Sequence, residues 1–387
     1  MSAEERERTV SGPRQECFDD APTDTEVEDV GPGVPERKAL DAGKLRIVPK
    51  PLSVRQALDL VDAGDIALAQ DFPRLALWTS RQRSLLVESV LVGIPLPALY
   101  FHQDTQGTLH VVDGVQRLTV LHRFAKGLEP LTELEYFPEL SGKTFDTLDT
   151  QFRRRFQGAQ LAIHVLEPST PDEVKFDVFR RINTGGSPLT AQEIRHLMGR
   201  SGSRELLTRL TALPSFAEAT GGAFQNERRM TDRELALRFC AFRVAFDEYL
   251  PFPGLDAFLL DFTRRLDGTH PQKPALTDAE REGLVSDFDR AMRSATAVFG
   301  ASAFRKYPPA ATKPGPLNRA LFESWAVALA DHAPEALAPR SAEISAAARA
   351  LLEDPAYSDA VSVSTGDALR VALRFTRARE ILQRETP

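Results

Sequence analysis

The chain has 387 residues, 42% of them hydrophobic, and a formal net charge of −7, which is long enough to bury a large core and to hold two domains. Residues 1–40 carry eleven acidic and five basic residues, a balance of −6 within that −7. The remainder is therefore almost neutral, which excludes binding driven by a strong overall positive field and leaves any DNA contact to local arginine clusters. No apolar run has the length of a membrane span: the richest, 84–101, is interrupted by Glu88, Pro95 and Pro97. The two cysteines suggest no disulfide framework, and the start of the chain lacks the basic, apolar and small-residue succession of a secretion signal, so a cytoplasmic protein without membrane contact is expected.

Residues 1–40 are rich in Glu, Asp, Pro, Gly and Thr, the composition of a disordered acidic tail. Such a tail can occupy a basic site in competition with a ligand, although a solubilising extension is the plainer reading. Patterning begins near Lys44. Leu45, Ile47 and Val48 predict a short strand, and Ser53 is placed to cap a helix carrying Val54, Ala57, Leu58 and Val61 that ends near Gly64. Residues 66–78 read as extended or irregular. Ser80 can cap a second helix, stopped by Gly93, and 96–101 reads as a strand leading into a turn at 104–107. That strand and 109–112 are expected to pair as a hairpin.

The stretch 109–127, LHVVDGVQRLTVLHRFAKG, organises the chain. Leu109, Val111 and Val112 run into Asp113 and Gly114, after which Val115, Leu118, Leu121, Phe124 and Ala125 recur at helical spacing, so the reading is strand, tight turn, helix. Gly114 supplies the permissive backbone, while Asp113, Gln116 and Arg117 sit at the strand mouth and in the first helical turn. A helix N-terminus favours a phosphate, and Arg117 could clamp it. The same spacing is met equally by Asp113 as a helix cap and Arg117 as a surface charge.

A second informative stretch, 161–200, opens as a strand to Leu166, and Pro171 with Asp172 begins a helix that Asn183, Thr184, Gly185 and Gly186 break. Thr190 and Glu193 form a capping box for the next helix. Beyond Arg200 the pattern is helical throughout. On the last helix Arg370, Arg374 and Arg377 fall on one stripe, either a solvated face or a surface that follows phosphates; the run Arg153, Arg154 and Arg155 has the same two readings.

Five ordered blocks, SVRQALDLVDAGDIALAQDFPRLALW, RSLLVESVLVGIPLPALYF, VVDGVQRLTVL, FRRINTGGSPLTAQEIR and RRMTDRELALRF, together resemble the N-terminal domain of GmrSD-type modification-dependent restriction enzymes, a family related in fold to ParB and sulfiredoxin. The resemblance runs from about residue 45 to the end of the chain. It implies an α+β protein: a disordered acidic tail (1–40), a small ParB/sulfiredoxin-like NTP-binding domain (41–200) and an all-helical domain (201–387). It also implies an NTPase, with Mg as a cofactor, acting in defence against modified foreign DNA. The family's Asp-Gly-Gln-Gln-Arg signature falls on Asp113, Gly114, Gln116 and Arg117, with Val115 in place of the first Gln, a mild change if that side chain faces the core. Upstream, Pro73 stands where the family has a Gln, while Arg74 and Trp78 remain.

On this reading Arg117 takes phosphate oxygens, Gln116 orients water or substrate, and Asp113 holds a divalent ion or the water. Asn183 and Thr184 close the nucleotide site from the glycine loop, Gly114 lets the backbone approach, Arg195 adds a second cation and Glu193 is a cap. The implied partners are NTP, DNA and a separately encoded nuclease or effector. No His-Asn-His pattern is found in the chain, since only His270 and His332 lie beyond residue 200. The alternative is a non-hydrolysing sensor of modified DNA, with Arg74 and Trp78 at the rim of the pocket and the arginine stripes on duplex phosphates, or an adaptor for a separate effector.

Overall fold

A computed structural model describes residues 24–29, 45–68, 78–182, 189–225, 227 and 229–383. The first half contains β1 (Ile47–Pro49), β2 (Leu52–Ser53), α1 (Val54–Ala63), β3 (Ile66–Ala67), α2 (Ser80–Val92), β4 (Leu99–Gln103), β5 (Leu109–Asp113), α3 (Val115–Ala125), α4 (Thr150–Gly158), β6 (Gln160–Leu161), β7 (Ile163–Leu166), α5 (Asp172–Ile182) and α6 (Ala191–Met198). The second is helical among the described residues: α7 (Ser201–Thr211), α8 (Pro214–Ala219), α9 (Thr231–Ala245), α10 (Leu255–Leu266), α11 (Asp278–Phe299), α12 (Arg319–Leu329), α13 (Pro334–Leu337), α14 (Ser341–Leu351), α15 (Pro355–Ala360) and α16 (Ala368–Gln383). The class is α+β, as the sequence implies.

Five strands form one mixed sheet in the order β1-β7-β4-β5-β3, and β2 pairs separately with β6. β4 and β5 are the expected antiparallel hairpin, whereas β7 lies parallel to β4 and β3 parallel to β5. Alternation divides the sheet faces. Leu99, Phe101, Leu109, Val111, Ile163 and Val165 enter a core shared with α1, α2, α3 and α4. Val112 and Leu166 enter a smaller core with Phe176, Val178 and Phe179 of α5, Ile194 of α6 and Leu260 of α10. This small core joins the two halves.

Capping fixes the helix starts. Ser53 caps α1 with Gln56 as the reciprocal partner, and Thr190 with Glu193 makes the predicted box for α6. At α2 the cap is Thr79 and not Ser80, because Gln82, three residues beyond Thr79, completes the box there. Glu88, which interrupts an apolar run in the sequence, is buried, and its carboxylate accepts the backbone N–H groups of Glu135, Tyr136 and Phe137. It therefore ties a loop to α2 and does not end the helix.

The helical half surrounds α12, which is buried along nearly its whole length. At its centre Glu323 is fully buried between Arg238 of α9 and Arg374 of α16. Arg374 is thus neither on a solvated face nor placed to follow phosphates, and its neighbours on the stripe are engaged too: Arg370 donates to the carbonyls of Asp359 and Val363, and Arg377 pairs with Glu380. Spacing identified the stripe; the acid that would meet it lay 51 positions away. Within the stretch read from composition as a tail, residues 24–29 are extended and lie against the helical half, with Glu26 N–H donating to Leu317 O and Leu317 N–H to Asp24 O, each at 2.8 Å. The physical reason is charge, since their carboxylates meet arginines and a lysine there.

Candidate functional site

β5 delivers Asp113 to the end of the sheet. The β4–β5 register shifts between Tyr100 and Phe101, so that Tyr100 faces Asp113 while Phe101 faces Val111. The resulting bulge at Val112 re-aims the next side chain. Strict alternation would send Asp113 into the α1–α4 core with Leu109 and Val111; its side chain instead stays 32% exposed. Gly114 then turns the chain with φ +96°, and a Cβ there would come within 2.1 Å of Leu99 Cδ2. Left-handed backbone and close packing both require glycine.

The N-terminus of α3 has no side-chain cap, so Asp113 does not serve as one. Its Oδ2 accepts from Arg117 Nη2 at 2.9 Å, and Arg117 also donates to the carbonyls of Pro97 and Ala98. The guanidinium therefore clamps the approach to β4 onto the Asp113 turn. Burial draws its pKa down from the usual value, against the opposing charge of Asp113, but an arginine keeps its charge in a protein. Val115 packs against the α/β core, so the departure from Gln at this position lies on the inner side of the helix. Gln116 is half-buried in the first turn.

α6 supplies the second cation. Arg195 is 1% exposed; its Nε donates to Gln192 Oε1 and its Nη1 to Asp256 Oδ1, both at 2.9 Å. Its Nη2 is buried and has no hydrogen-bond partner among the described residues. Around it stand Arg180, 3.8 Å from Asp256, and Arg229, 3.8 Å from Glu193. Glu193 is fully buried and accepts the Thr190 N–H at 2.6 Å, which makes it a cap. His196 is pushed down to about 3 by burial and then by the charges of Arg204 and Arg233, and stays neutral. Val112, just before Asp113, and Ile194, just before Arg195, belong to one buried cluster. The sheet end and α6 thus border the same small core.

Trp78 is half-buried against the α/β core and gives its carbonyl to Arg83. Arg74, Asn183 and Thr184 lie outside the described residues. Asp256 and the Pro97 and Ala98 carbonyls were not foreseen. Asp256 signals itself in sequence only as an acid in the first turn of α10; the carbonyls give no signal at all. Among the described residues no group of three or more His, Cys, Asp or Glu is placed to hold a metal ion.

A strand, a glycine turn and a helix meet at the end of the sheet, the arrangement whose helix N-terminus favours anions in general, and α6 with its buried Arg195 borders the same small core. Residues 58–197 match the family model described as "GmrSD restriction endonuclease, N-terminal domain", and this segment belongs to that domain family. The match connects the chain to restriction systems. No curated protein and no solved structure matches the chain. Among the described residues, no helix is long and apolar enough to cross a membrane.

Proposed function

We propose that this chain is the nucleotide-dependent regulatory component of a restriction-type defence system, binding an NTP at the Asp113 turn and α6 and hydrolysing it to control a separate nuclease or effector. The observation that carries the reading is the buried Nη2 of Arg195, which has no hydrogen-bond partner among the described residues. An orphaned donor on a charged group costs several kcal/mol unless a ligand meets it, by roughly the 1–3 kcal/mol of an unsatisfied group and more for a charged one. A phosphate oxygen supplies the acceptor and the charge. Phosphoryl transfer needs charge neutralisation and a positioned water more than a covalent nucleophile. Arg195 serves the first requirement. Asp113, oriented by Arg117, and Gln116 serve the second, with Mg on Asp113 and the phosphates.

The test is phosphate release from ATP, GTP, CTP and UTP with magnesium, with and without DNA, by wild type, Asp113→Ala and Arg195→Lys. Release by wild type and its loss in Asp113→Ala, with the fold intact by circular dichroism, is expected. No release from any nucleotide while DNA still binds would replace this reading with the sensor of modified DNA.

A further inference from the structure

Residues 24–29 lie in a groove that is built to receive them. One wall is the loop before α12 with the helix's first residue, where Arg305, Lys306, Leu317, Asn318 and Arg319 meet the segment; the floor is Arg238 of α9, and the far wall is Thr365. Recognition is on alternate residues, as an extended chain presents them. Asp24 pairs with Arg305 at 2.6 Å, Glu26 with Lys306 at 2.6 Å and Asn318 at 3.0 Å, and Glu28 with Arg238 at 2.6 and 2.9 Å. Glu28 also accepts from Thr365 Oγ1 at 2.6 Å. Val27, between the two glutamates, is 94% exposed. The backbone is read as well: besides the two Leu317 bonds, Arg319 donates to Glu26 O and Thr365 N–H to Asp29 O.

The receiving groups are held by bonds that do not involve the segment. Lys306 is fixed by Ser362, Arg305 by the carbonyls of Gly315 and Thr220, Asn318 by Val361 O and the α12 cap, and Arg238 by Glu234 and Glu323. Asp24 and Glu26 thus neutralise Arg305 and Lys306, Glu28 adds a third carboxylate to Arg238 beside Glu234 and Glu323, and Arg319 serves the segment through its backbone. A preorganised groove of this kind loses little conformational freedom on binding.

We propose that this groove is a receptor for an extended acidic peptide with carboxylates on alternate residues, that residues 24–29 occupy it in cis, and that an acidic segment of a partner protein competes for it. The main-chain bonds to Leu317 and Thr365 require a peptide and not a nucleic acid, and the depth of Arg238 excludes a duplex phosphate. A peptide added along a waiting backbone gains affinity from those bonds and specificity from the alternate side chains.

The test uses the full chain and a fluorescein-labelled peptide of residues 22–31. Glu26→Ala/Glu28→Ala, which frees the groove, is expected to bind the peptide at least tenfold more tightly than wild type, with affinity falling as salt rises, and Lys306→Glu in that background is expected to abolish binding. In wild type, saturating peptide is expected to speed hydrogen exchange at the Glu26 amide. No peptide binding by the folded double variant, or unchanged protection of Glu26 at saturating peptide, would overturn the proposal. So would a gain of salt-sensitive duplex binding without peptide binding, and so would a wild-type dimer whose dissociation on dilution exposes the segment.

Discussion

Gly114 and Arg117 are two residues of one motif with different duties. A methyl group at 114 meets Leu99 at 2.1 Å in a left-handed backbone, so Gly114→Ala is expected to lower stability by about 2–4 kcal/mol, read by urea denaturation. Arg117 acts through Asp113. Arg117→Lys keeps the charge and loses the fork that holds Pro97, Ala98 and Asp113 together. It is expected to reduce any phosphate release sharply while moving the urea midpoint little; a large fall in the midpoint with turnover retained would make the residue structural only. His102 is a third case. It is stacked on His110 with ring centroids 4.7 Å apart, and burial, then His110, then Lys175 hold its pKa down at about 4. A buried base kept neutral adds stability above its ordinary value of 6.5 that is lost as pH falls toward 4, on the order of 2–4 kcal/mol. His102→Phe is expected to flatten that limb of the stability curve.

At the scale of elements, the buried pair between α12 and α16 separates a charge that is needed from one that is merely present. Arg374→Met leaves Glu323 facing Arg238 alone, and breaking one partner of a buried pair costs about 3–5 kcal/mol. Arg374→Met/Glu323→Leu removes both charges of the pair and is expected to recover most of that loss, measured by thermal melting of the three proteins. The same pair shows where the sequence stops being informative. Boxes such as Thr190 with Glu193 and turns such as Asp113 with Gly114 are local, so three or four adjacent residues state them in full. A helical stripe states only that three arginines share a face, and what that face meets is decided by packing of distant segments. The site divides the same way: the turn was legible, whereas Asp256, 61 positions from Arg195, was not. The shift of the α2 cap from Ser80 to Thr79 belongs with the local cases, since two adjacent hydroxyls compete and Gln82 chooses between them.

At the scale of the molecule, the acidic segment closes the helical half. Burial pushes the Glu28 carboxyl upward, and the charge and hydrogen bonds of Arg238 more than reverse it. In Glu234 burial is likewise outweighed by Arg238, Arg319 and Arg195, and the pKa falls to about 2. Both carboxyls sit below their ordinary 4.5 in the folded state. Their contribution is therefore present above that pH and lost as acid protonates them. The melting temperature of wild type is expected to drop below pH 4.5, and Glu28→Gln is expected to lie lower at pH 7 and to approach wild type as acid protonates the carboxyl; parallel curves would show that Glu28 carries none of the effect. Composition placed this segment in a tail because its partners lie up to 337 positions away.

The small core between the halves has a thermodynamic corollary. Val112, the residue before Asp113, and Leu260 of α10 are buried in one cluster, and close-packed interiors do not deform freely. A ligand that draws the Asp113 turn out of place works against the seating of α10, and a partner that unseats α10 loosens the turn. The two events share one coupling free energy, equal in either direction. An affinity change produced through this core at one end would therefore set the change to be found at the other.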